Sequence, residues 1–140
     1  MPISLSDRFW YVNPGASSQA IQKLVACVGS ELPNEYFDLL RYSNGGEGPL
    51  PLSPYNFCLD SAEDAAQSKI AKMHKEFFPG FFVFGTNGGG EYIAFDLRGS
   101  SPWPIVAIDM TNIDLAESVQ FIAPDFPSFL EFVGLEAYET

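Results

Sequence analysis

Few residues in this chain could do covalent chemistry, and they are scattered. There is one histidine, His74, between Met73 and Lys75. A Ser-His-Asp hydrolase would have to use it, yet no Gly-x-Ser-x-Gly turn presents a nucleophilic serine. A zinc site would have to draw on His74, Cys27 and Cys58, whose spacing matches no ligand motif. Cys27 lies among Leu24, Val25 and Val28, and Cys58 in an aromatic run, so both are expected as buried free thiols. Carboxylates are abundant, and residue type alone allows an acid–base pair. Asp96 and Asp109 each end an apolar run. Each is expected to tighten the turn that follows, Asp96 before Arg98-Gly99 and Asp109 before Thr111-Asn112. The stretch Asp109-Met110-Thr111-Asn112-Ile113-Asp114 echoes a calcium loop only loosely, lacking its glycine and closing glutamate. No catalytic set, metal or cofactor is expected.

Thr86-Asn87-Gly88-Gly89-Gly90-Glu91 invites a phosphate-binding reading. Such a loop needs a helix after it, whose N-terminal N–H groups and dipole hold the anion. Here Tyr92-Ile93-Ala94-Phe95 follows, which alternates and favours a strand. No Gly-Lys-Ser/Thr is present, and Glu91 would repel a phosphate. The stretch is therefore expected to be a hairpin connection, with Asn87-Gly88 as its turn signal.

The elements around these residues follow from periodicity. Ser17-Ser18 can cap a helix with Ile21, Leu24, Val25 and Val28 on one face, ended by Gly29. Leu32-Pro33-Asn34-Glu35 opens a second, with Tyr36, Leu39 and Leu40 inward, stopped by Asn44-Gly45-Gly46. Gly48 to Pro54 is Pro-rich and not helical. Tyr55 to Leu59 reads as a short strand. Ser61 caps a third helix with Ala62, Ala66, Ile70, Met73 and Phe77 inward, ended by Pro79-Gly80. Thereafter the period alternates: Phe81–Gly85, Tyr92–Leu97, Ile105–Met110 and Val119–Ile122 read as strands. Asp125 caps a last helix with Phe126, Phe129, Leu130 and Val133 inward. The expectation is one α+β domain over residues 1–140, a mainly antiparallel sheet with helices packed on it.

The chain has 140 residues, 46% hydrophobic and 15% aromatic, enough for a dense core without metal or disulfide. No stretch approaches a membrane span, and the first residues lack the build of a signal peptide, so a cytoplasmic protein is expected. The net charge of −11 argues against nucleic acid and anionic membranes as partners. Charge is also uneven. From Gly99 onward there is no Lys or Arg, while Asp109, Asp114, Glu117, Asp125, Glu131, Glu136 and Glu139 are acidic. Such a surface keeps a protein soluble, and it can also dock a basic partner. Trp103, between Pro102 and Pro104, is a candidate anchor beside that region, as are Trp10 and Tyr11 nearer the start. The residues expected to contact a partner are Glu47, Glu91, Asp96, Trp103, Asp109, Asp114 and Glu117.

Leu32-Pro33-x-x-Tyr36-x-x-Leu39-Leu40-x-x-x-Asn44-Gly45-Gly46, then Phe84-x5-Gly90-Glu91-x3-Phe95-Asp96, then Phe126-x-x-Phe129-Leu130, resembles the SUKH superfamily. This group is named for the yeast cell-wall assembly and killer-toxin-resistance regulator Smi/Knr. The resemblance spans roughly Ile21 to Val133 and rests on order and spacing. It implies an α+β fold and, in bacteria, an immunity protein that neutralises a polymorphic toxin, often a nuclease. It implies no catalytic residues. Asp125 stands where the family usually has Ser, and Glu91 where Asp is common. The leading expectation is a non-catalytic protein-binding module facing a basic toxin domain. The alternatives are a regulatory scaffold for an endogenous protein and a small hydrolase gathering Asp96, Glu91 and Asp109 in one pocket.

Overall fold

A computed structural model describes residues 4–28, 32–71, 80–111 and 118–136. Its elements are α1 (Ser18–Val28), α2 (Asn34–Tyr42), β1 (Glu47–Pro49), β2 (Asn56–Leu59), α3 (Ala62–Ala71), β3 (Phe81–Thr86), β4 (Glu91–Asp96), β5 (Ile105–Asp109), β6 (Val119–Ala123) and α4 (Phe126–Phe132). The six strands form one antiparallel sheet in sequence order, β1 to β6. The α+β class and the antiparallel meander agree with the sequence reading.

The helix ends show why these segments form. Ser17 Oγ accepts from the Ala20 amide at 3.1 Å, Ser61 Oγ from Asp64 at 3.0 Å and Asp125 Oδ1 from Ser128 at 2.8 Å. Each bond satisfies an amide that the first turn leaves without a partner. Pro33 precedes α2 and brings no side-chain cap, so packing must supply more of that helix's stability. Asn44 does more than stop α2. Its Oδ1 accepts from the Ala62 amide at 2.7 Å and its Nδ2 donates to Glu63 Oε1 at 2.8 Å, so it ties α2 to the start of α3. Gly45 and Gly46 hold φ of 105° and 108°, where a side chain would be strained.

One face of the sheet carries Phe82, Phe84, Ile93, Phe95, Ile105, Ala107 and Ile122 into the main core. Leu24, Tyr36, Leu39, Leu40, Phe126 and Phe129 meet them from the helices. Tyr36 is the hub, with its ring edge-on to Phe82, Phe84, Phe95 and Phe126 at centroid distances of 5.6 to 6.0 Å. Burying each such ring contributes about 2 to 3 kcal/mol. The opposite face buries Phe81, Val83, Ala94, Val106 and Ile108 in a second cluster. The middle of the sheet is thus buried on both sides, which is why β3 reads Phe-Phe-Val-Phe rather than alternating.

Three readings change. Glu47–Pro49, which overlaps the Pro-rich stretch from Gly48 to Pro54 for which only a non-helical course was expected, is an edge strand paired with β2. The two thiols are half-buried rather than buried. Ala65 joins Ala62 and Ala66 in the core from α3. The stops proposed at Gly29 and Pro79, and Met73, His74 and Phe77, lie outside the described residues.

Candidate functional site

At one end of the sheet the β3–β4 connection is a hairpin turn, as expected from Asn87-Gly88. Asn87 organises it. Its Oδ1 accepts from the amides of Gly89 at 2.9 Å and Glu91 at 3.0 Å, and its Nδ2 donates to Glu91 Oε1 at 3.3 Å. Gly88 sits at φ 76°. Glu91 opens β4 directly opposite Asp109, the last residue of β5. Two carboxylates in cross-strand register repel one another, an arrangement that costs stability. Asp109 Oδ1 accepts from the Thr111 amide and hydroxyl, both at 2.8 Å, so it also tightens the turn expected of it.

Glu47 lies across the sheet on β1. Its cross-strand row continues through Cys58 on β2, Thr86 on β3 and Tyr92 on β4. The Cys58 thiol lies 3.6 Å from Glu47 Oε2, and burial, then the Glu47 charge, raise its pKa. Tyr11 pairs with Glu47 from outside β1 and is 75% exposed. Phe9, Val12 and Tyr55 are exposed as well. Trp10, the other aromatic singled out near the start, turns inward. It packs near Phe57 and donates from Nε1 to Ser43 Oγ at 3.2 Å. Sequence reasoning missed Phe9 and Tyr55. Tyr55 follows Pro54 and Phe9 follows Asp7-Arg8, and these flanks are the signals that could have placed them outside the core.

Asp96 stands at the other end of β4, roughly 17 Å from Glu91 at a strand's rise of about 3.4 Å per residue. Its two oxygens bind Arg98 Nε and Nη2, each at 2.9 Å, and Arg98 holds its carboxyl below the usual range. The Arg98 guanidinium also lies over the Phe81 ring, 4.7 Å from its centroid. Past Arg98, the chain turns through Gly99 to Trp103. The indole is half-buried against the core and donates from Nε1 to Gly99 O at 2.9 Å. Trp103, Pro102 and Ser101 face Pro33, Asp125, Phe126 and Pro127 across a groove of about 320 Å³. The structure thus brings Glu91 and Asp109 together, places Glu47 on the edge strand, and sets Asp96 and Trp103 at the opposite end. Asp114 and Glu117 lie outside the described residues. Asp96 shares no cleft with Glu91 and Asp109.

A family model for the SMI1 / KNR4 family (SUKH-1) matches residues 15–131. The chain belongs to the SMI1 / KNR4 family. No curated protein matches it significantly.

In this SMI1 / KNR4 chain, the motif residues that carry the family likeness are mostly core. Leu32, Tyr36, Leu39, Leu40, Phe84, Phe95, Phe126 and Phe129 are all buried, and Asn44-Gly45-Gly46 builds the α2–β1 turn. The family signature therefore encodes packing, while Glu47, Asp109 and Trp103 fall outside it. One polar group is out of place in that core. The Tyr36 hydroxyl is buried with no hydrogen-bond partner among the described residues. Asp60, just past β2, is also largely buried; desolvation first, and the Asp64 charge second, push its pKa up to about 6. No helix among the described residues is long and apolar enough to cross a membrane.

Proposed function

We propose that this chain is a non-catalytic protein-binding module of the immunity type. It neutralises a basic toxin domain, such as a nuclease, by covering the surface that toxin uses. Charge is the observation that carries this reading: net −11 on a chain of the SMI1 / KNR4 family. A nuclease needs a basic surface to hold its substrate, and an acidic inhibitor associates with such a surface quickly through steering. Glu91 and Asp109 in direct register support it, because facing carboxylates are tolerated where something other than stability favours them. Glu47 and Glu91 have no cation at ion-pair distance among the described residues. The exposed aromatics beside Glu47 add apolar contact area at the same edge. Blocking needs no chemistry, and the cytoplasm is where a toxin acting inside the cell would be met.

The test is co-expression with the toxin domain encoded nearest to it. The expected result is survival of the cells and a one-to-one complex whose association slows as salt rises. Failure to protect against any neighbouring toxin domain would overturn the immunity reading. Binding of an endogenous protein without any protection would favour the regulatory scaffold.

A further inference from the structure

The groove at the tryptophan end has a specific chemistry. Pro33, Pro102 and Pro127, whose rings are rigid, line it together with Phe126, which is almost fully buried. Trp103 forms one side. Because its N–H is already bonded to Gly99 O, the indole is fixed and what it presents to the groove is ring surface rather than a donor. Asp125 supplies the only charge among the lining residues. Its Oδ1 accepts from the Ser128 amide at 2.8 Å, and the hydrogen bonds from the Ser128 side chain and backbone hold its carboxyl below the usual carboxylate range, so it carries its full charge at neutral pH. A full negative charge outweighs the partial positive end of the short helix it caps.

The molecule already shows what an aromatic face and a carboxylate hold when set side by side. Close by in the chain, the Arg98 guanidinium lies over Phe81 while Asp96 binds it through both oxygens. Arg98 is committed there, so it does not serve the groove. Trp103 and Asp125 bring the same two kinds of partner to one groove, with a better π surface.

We propose that the Trp103–Asp125 groove receives an arginine side chain presented by a basic partner protein, its guanidinium laid over the indole and its charge met by Asp125. The proposal rests on the protein-binding reading above and names the contact by which it works at this end. Arginine suits the groove better than lysine because its planar, weakly hydrated head stacks on an aromatic ring and leaves N–H groups for a carboxylate. The prolines confine the aliphatic stem without competing for hydrogen bonds.

The test uses the full chain and short capped peptides, Gly-Arg-Gly against Gly-citrulline-Gly and Gly-Lys-Gly, followed by the backbone amide resonances of Ser101 and Phe126, which line the groove and survive in every variant. The arginine peptide should give a saturable shift in the millimolar range. Trp103→Leu should weaken it about tenfold. Asp125→Ser, which keeps the helix cap but removes the charge, should weaken it about fivefold. Trp103→Phe, which retains a ring, should recover part of the loss and separates stacking from misfolding. Equal shifts with citrulline would overturn the proposal, as would unmoved Ser101 and Phe126 amides. A lysine peptide that binds as well as arginine would overturn the stacking argument. No toxin is needed, so a negative result removes the groove and leaves the cell-protection result standing, and the reverse also holds.

Discussion

The two ends of the sheet handle negative charge in opposite ways. At the glycine-loop end, Glu91 and Asp109 face each other across β4 and β5, and the turn is held by amides bonded to Asn87. At the tryptophan end, the nearby carboxylates are engaged locally. Asp96 binds Arg98, and Asp125 caps α4. One end keeps like charges together, which projects a field toward an approaching cation. The other pairs Asp96 with a cation and sets Asp125 among proline, phenylalanine and tryptophan side chains, which shapes a surface. On the proposed function, the difference separates two jobs of an interface, attraction at a distance and anchoring on contact.

The sharpest way to probe the contrast is Asp60, a largely buried carboxylate set apart from the half-buried pair at the glycine loop. Its folded pKa is raised from 3.8 to about 6, so the fold prefers the neutral acid. Its contribution to stability is complete below about pH 4 and is lost as pH rises through about 6. Asp60→Asn should therefore stabilise the protein by about 2 to 3 kcal/mol at pH 7, with the gain vanishing at pH 4 in urea titrations. A gain independent of pH would show that ionisation does not set this carboxylate apart from the pair at the glycine loop.

Asn87→Ala tests the glycine-loop end directly. It removes the acceptor shared by two amides, and should cost about 1 to 2 kcal/mol. Hydrogen exchange should quicken at Gly89 and Glu91 and stay unchanged around Trp103. Protection lost equally at both ends would mean that the turn is not a local device.

The smallest effect belongs to Glu91→Gln. Relieving the repulsion from Asp109 should stabilise the fold by a few tenths of a kcal/mol at low salt and by nothing at high salt. The same change should slow association with a basic partner and leave dissociation almost untouched, measured by stopped flow. A change confined to dissociation would make Glu91 an anchor and erase the contrast between the ends.

Much of the fold was legible because its causes are local. The stripe Ile21, Leu24, Val25 and Val28 marked α1, and Asp125 marked the start of α4, because side chains within four residues set both periodicity and capping. The strand β1 was not legible. Glu47-Gly48-Pro49 has no apolar pattern, and it exists because Phe57 and Cys58 lie beside it on one side and Tyr11 on the other. Gly48 shows the same dependence, since a Cβ there would collide with the backbone oxygen of Phe9. Half-burial of Cys58 was hidden too, because its neighbour Phe57 points to the other face.

By itself the sequence determined the α+β class, the hairpin nature of the glycine loop, the helix caps and the acid excess. Each of these depends on residue types summed over the chain or on neighbours within one turn. Only the tertiary structure decided that Glu91 faces Asp109, that Tyr11 pairs with Glu47, and that Pro33, Trp103 and Asp125 line one groove. Those juxtapositions depend on strand register and on how distant segments pack, and neither is encoded by the spacing of any single stretch.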